Sequence, residues 1–141
     1  VVAIAYIGGL FVLFTFTHFV ADWIFQTHYE AMNKHKDDGI RAVHCAVYTV
    51  FFLPWFWFLS FSLERAGIGA AVLFVSHFVE DSYYPVYLWA RYIRRVPEVR
   101  ERGPSGFVEF ISTPLGKILM IAVDQIIHLA FLWVLVALAL W

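Results

Sequence analysis

Residues 118–141 read ILMIAVDQIIHLAFLWVLVALALW. One charge, Asp124, interrupts an otherwise apolar run. An α-helix rises about 1.5 Å per residue, so about 20 apolar residues cross a hydrocarbon layer roughly 30 Å thick. The run is long enough to do so, and it lacks the alternation of a membrane β-strand. Working outward, residues 1–21 and 42–63 carry no formal charge, and residues 66–90 carry only Glu80 and Asp81. The expected fold is therefore all-α: a polytopic membrane protein with four transmembrane helices in an antiparallel bundle. The spans fall at about 1–27, 40–63, 66–92 and 115–141, within a single domain of residues 1–141, with loops at about 28–39 and 93–114.

Composition agrees. The chain is 62% hydrophobic and 15% charged, against roughly 25% charged residues in soluble domains. A net charge of −1 gives no footprint for nucleic-acid binding. The single cysteine, Cys45, excludes an internal disulfide and a multi-cysteine zinc site. No basic segment precedes the first apolar run, so it reads as a membrane span and not as a cleavable signal peptide.

The connections are unequal. Lys34, Lys36, Asp37, Asp38 and Gly39 mark a polar loop, while Glu64 and Arg65 mark a tight turn between spans two and three. The last connection is basic and broken by Pro97, Gly103, Pro104 and Pro114. Pro54 is expected to bend the second span, and Pro85 to end or kink the third. Gly8, Gly9, Gly67 and Gly69 are expected at close helix contacts. The Trp and Phe residues around Pro54 read as a lipid-facing belt. Lys34, Lys36, Arg41, Arg91, Arg94, Arg95, Arg100, Arg102 and Lys117 fall on one side of such a bundle, and Arg65 on the other. Basic residues stay in the cytoplasm, which places both termini outside a bacterial inner membrane.

Ionisable groups within hydrocarbon are costly and persist when paired, hydrated or bound to an ion. Here they recur at helical spacing: His18 and Asp22, with Gln26 following; His44, with Tyr48 a turn on; His77 and Asp81; Asp124 and His128, with Gln125 beside them. Residues at i and i+4 share a helix face. All of the His and Asp residues in this set lie toward the basic side of their spans, so they can converge. His28 and His35 read as surface residues, and Glu80 as one position off the His77 face. A set of imidazoles and carboxylates suits a divalent transition metal, zinc first and manganese or iron next, as one or two ions. His18, Asp22, His44, His77, Asp81, Asp124 and His128 are the expected ligands, with His44 and Asp81 also in the acid/base role of a hydrolase. A lone His–Asp pair serves more often as an interhelical hydrogen bond. The alternatives are a proton or ion relay, or a non-catalytic subunit with a structural polar core. The partners expected are membrane lipids and a lipid-linked or phosphate-bearing substrate, for which the cluster running from Arg91 to Arg102 is a second contact. Homo-oligomerisation is left open.

These same residues carry a resemblance. His18-Phe-Val-Ala-Asp22-Trp-Ile-Phe-Gln26-Thr with Asn33-Lys34, Ala42-Val-His44-Cys-Ala-Val-Tyr48-Thr, Ser76-His77-Phe-Val-Glu-Asp81 and Asp124-Gln125-Ile-Ile-His128 resemble, in order, the motifs of a bacterial membrane family of unknown function, DUF3307. The resemblance implies a small helical protein and names no activity. In that family a lysine is expected shortly after the third-span Asp, where this chain has Ser82-Tyr83-Tyr84. A more distant similarity, to membrane-bound metal-dependent hydrolases, implies a reaction class by analogy.

Overall fold

The computed structural model describes residues 2–60 and 62–138, and Val1, Phe61 and residues 139–141, which the expected spans include, lie outside them. The described residues form helices joined by short turns, with no strand among them. Three helical stretches are long and apolar enough to cross a membrane: Ala5–Ile24, Asp38–Leu59 and Pro114–Ala137.

The first stretch is α1 (Val2–Phe19) continued by a π-helical turn (Val20–Ile24), which Phe25 N–H closes by donating to the Val20 carbonyl at 3.1 Å. The loop expected at 28–39 holds a helix, α2 (His28–Asn33). Thr27 and Glu30 form a capping box, in which Thr27 N–H donates to Glu30 Oε2 (2.8 Å) and Glu30 N–H donates to Thr27 Oγ1 (3.2 Å). This S/T-x-x-E pattern satisfies two orphan donors at once. Asp37 Oδ1 then accepts from Gly39 N–H and Ile40 N–H and opens α3 (Asp38–Ser60), which runs through Pro54. Ser62 caps α4 (Leu63–Glu80).

The region expected as one helix over 66–92 is two. The chain breaks at residues 81–83, where Tyr83 takes a left-handed φ of 61°, and restarts as α5 (Tyr84–Leu88), with Pro85 in its first turn. Proline lacks the N–H that would continue a helix and suits a helix start. α5 passes into a second π turn (Trp89–Ile93). The loop expected at 93–114 likewise holds α6 (Pro97–Arg102) and α7 (Pro104–Ser112), each beginning at a proline, before α8 (Pro114–Leu138).

α3 lies along α4, while α8 packs on α1 and α4. Two apolar clusters result. Leu10, Phe14, Phe52, Phe56, Leu73 and Leu132 form one between the long helices, with Phe14 edge-on to Phe52 and Phe56. Val86, Ala90, Val99, Phe107 and Met120 form the other, where α5, α6 and α7 fold onto the start of α8. Close approach occurs at Gly106 and Gly116, where a Cβ would sit within 2 Å of the Glu98 and Phe110 carbonyl oxygens respectively. Of the glycines expected at close contacts, Gly69 is one where an added Cβ would meet the Phe56 ring at 3.3 Å, whereas at Gly8, Gly9 and Gly67 it would face open space.

Candidate metal centre

The polar side chains collect between those two clusters. On α8, Met120, Val123 and Ile127 face the basic-side cluster and Leu129, Leu132 and Leu135 the other, with Asp124, Gln125 and His128 between them in sequence. His18, His44, His77, Asp81, Asp22 and His128 are all 0–4% exposed.

Four of these side chains meet at one point. His44 Nε2 lies 3.1 Å from His77 Nε2, 3.0 Å from Asp22 Oδ1 and 3.2 Å from Asp81 Oδ2. His77 Nε2 lies 3.3 Å from Asp81 Oδ2 and 3.9 Å from Asp22 Oδ1. Tetrahedral zinc with N and O bonds of about 2.0–2.2 Å separates its ligand atoms by roughly 3.3–3.6 Å. The five distances bracket that value. A parallel stack on Tyr48, with centroids 3.7 Å apart, fixes the His77 ring.

His77 Nδ1 and His128 Nε2 face the Glu80 carboxylate at 3.9 and 3.4 Å. Asp22, His44, His77 and Asp81 form one group able to hold a metal ion, and His77, Glu80 and His128 a second.

His18 and Asp124 lie beside these groups and belong to neither. Both His18 ring nitrogens are taken: Tyr48 OH donates to Nδ1 (3.0 Å), and Nε2–H donates to Gln125 Oε1 (3.0 Å). The π turn explains why His18 and Asp22 part company. An i→i+5 turn carries an extra residue, so Asp22 leaves the face that α-helical spacing would give it. Asp124 uses its main-chain carbonyl, which accepts from His128 Nδ1–H at 2.8 Å.

Two residues at the centre were not among the expected site residues. Lys34 was read as a loop charge, yet it is 7% exposed. Its Nζ lies 3.0 Å from Asp22 Oδ1, 2.9 Å from Asp81 Oδ1 and 3.3 Å from His44 Nε2. Burial alone would lower its pKa, but the Asp81 and Asp22 carboxylates outweigh it and hold the ammonium above the ordinary lysine range. The Gln26 amide is satisfied with its oxygen toward Lys34 Nζ (2.7 Å) and its nitrogen toward the Asp22 carbonyl (3.3 Å). Glu80, read as off the His77 face, is 7% exposed and turned inward. The available signal for Lys34 was its place directly after the first motif. For Glu80 it was the i+3 spacing from His77. His28 is exposed as expected, but His35 is half-buried and stacked on Tyr83.

The profile of the family described as "Protein of unknown function (DUF3307)" matches residues 10–141. No curated protein and no solved structure matches the chain.

Proposed function

This chain belongs to the DUF3307 family, and on that footing we propose that it is a four-span membrane metalloprotein, in which Asp22, His44, His77 and Asp81 hold a divalent cation that serves hydrolysis of a membrane-associated substrate. The observation that carries the reading is the set of five donor–donor distances between 3.0 and 3.9 Å, which suits one small tetrahedral ion. Zinc is the first expectation for a mixed His/Asp set, with manganese or iron next.

A cation held there would supply Lewis acidity once one of the four side chains, His44, gives up its place to water or substrate. The side chains supply the rest. The Lys34 ammonium, set between the two carboxylates, offers fixed positive charge to an oxyanion developing beside it. His44 Nε2, which touches Asp22, Asp81 and Lys34, is free to carry a proton only when it is not bound to the cation. Support for a membrane-associated substrate comes from a cleft of about 580 Å³ on the α4 flank, lined by Val72, Val75, Val79 and Phe131, with Glu80 its one charged residue. An acyl chain fits such a lining. Purification without chelators, followed by metal analysis, tests the centre: wild type is expected to retain a transition metal and His77→Ala to lose it. Metal-free wild type would overturn the reading.

In this reading α4 is the fourth span: its 18 residues cover about 27 Å at 1.5 Å per residue. The basic side then faces the cytoplasm, and the start of α1 and the end of α8 face outside. In a Cys45→Ala background, a membrane-impermeant thiol reagent on intact cells should label Ser62→Cys and spare Ser105→Cys. The reverse pattern would invert the topology.

A second reading has one observation in its favour. The Lys34 ammonium already bridges both carboxylates, so the cluster can also serve as an ion network fixing helix packing with no metal. A transmembrane relay is disfavoured, because Phe14, Phe52, Phe56 and Leu132 fill the other half of the bundle.

A further inference from the structure

Glu80 and His128 raise a separate question, because their geometry does not close on itself. His77 Nδ1 and His128 Nε2 are buried and neither makes a hydrogen bond. The residues that bear them are 1% and 2% exposed. An unmade hydrogen bond on a buried ring nitrogen costs on the order of 1–3 kcal/mol, so two facing one carboxylate call for something between them. The other nitrogen of each ring is already committed. His128 Nδ1–H donates to the Asp124 carbonyl, which turns a lone pair on Nε2 toward Glu80 and is the arrangement that orients metal-binding histidines. His77 Nε2 points into the four-donor cluster.

We infer that His77 Nδ1, Glu80 and His128 Nε2 hold a second divalent transition cation, with the His77 ring shared between the two centres. The inference extends the proposed metal centre and rests on it only through His77. Sharing the ring requires the His77 N–H proton to leave for solvent as the second cation binds, so that each ring nitrogen offers a lone pair. Asp81 lies between the two groups as well: its Oδ2 faces His44 and His77, while its Oδ1 is 3.7 Å from His128 Nε2. The two centres differ in kind. Four protein donors close the first, whereas three leave a position free at the second, as in catalytic sites. Glu80 is also the residue that reaches the α4 cleft. The second centre is therefore where substrate could reach metal without displacing a protein donor.

Stepwise loading of purified, metal-stripped full-length protein with Co²⁺, followed by absorption and bound-metal analysis, tests this. Wild type is expected to bind two ions per chain with distinct spectra. The near-isosteric Glu80→Gln and the variant His128→Asn should bind one, keeping the first spectrum, and Asp22→Asn should bind one, keeping the second. Wild type that saturates at one ion, with that ion unaffected by Glu80→Gln, would overturn the second centre and spare the first. A single ion lost in Glu80→Gln and kept in Asp22→Asn would overturn the first and uphold the second site, with His77 unshared. Two ions retained by both Glu80→Gln and His128→Asn would also overturn the second centre.

Discussion

The two apolar clusters are built by opposite means. Between the long helices, Phe14, Phe52, Phe56 and Leu132 come from elements of 18 to 25 residues that lie side by side. On the basic side, Val86, Val99, Phe107 and Met120 come mostly from pieces of five to nine residues, begun by prolines and folded over glycines with no room for a side chain. On the proposed topology the long helices lie in lipid, where association gains little from hiding apolar surface, so shape and dispersion hold them together. On the same topology the short helices face water and gain from burial itself. The ionisable layer lies at the seam, where one regime gives way to the other. A charge placed there is close to water yet roofed by packed side chains.

That contrast can be broken first at the seam. Lys34→Met leaves Asp22 and Asp81 uncompensated and should cost about 3–5 kcal/mol in chelator, read by thermal unfolding in detergent. If the cluster is a metal centre, saturating Zn²⁺ should recover most of the loss, whereas a purely ionic network would stay destabilised. The pH behaviour follows from sign. The Lys34 pKa is raised on folding, so its contribution is complete below the unfolded value of about 10.4 and fades only as pH climbs through the higher folded one. The Lys34 share of the wild-type advantage should therefore stay level from about pH 7 to 9.

Phe14→Ala empties a fully buried ring site among the long helices and should cost about 3 kcal/mol, with bound metal retained. Gly106→Ala drives a methyl to 1.9 Å from the Glu98 carbonyl oxygen. The expected cost is about 1–3 kcal/mol, seen as faster amide exchange confined to α6 and α7. Exchange that quickens equally in α1 and α3 would show that the two clusters unfold as one. Smallest, Tyr48→Phe removes the hydroxyl from His18 Nδ1 and should cost about 1 kcal/mol without altering metal content. A drop in bound metal would bring His18 back among the ligands.

The long apolar runs and the His/Asp spacing were legible because hydropathy and the i, i+4 rule are local properties. His44, His77, Asp81 and His128 met as that spacing implied. Lys34 was not legible, because a lysine in a polar stretch looks the same whether it points to water or doubles back. What turns it inward is the capped helix α2 together with two carboxylates, Asp22 in the π turn and Asp81 just past the end of α4. The break at residues 81–83 was legible in part: Pro85 marked the end or kink of the third span, but the apolar residues resume beyond it, and the left-handed Tyr83 has no residue-type signature. α6 and α7 are too short for periodicity to declare them.

The π turn at Val20–Ile24 makes the chain sensitive to length where it is tolerant of composition. Such a turn is one surplus amino acid absorbed by a helix. Taking one residue out would restore an ordinary spiral and rotate everything before it by about 100° relative to Asp22. His18 would then turn away from Tyr48 and Gln125 while every apolar residue stayed apolar. A single-codon deletion there would be invisible to any hydropathy plot, yet more damaging than most substitutions in the same segment.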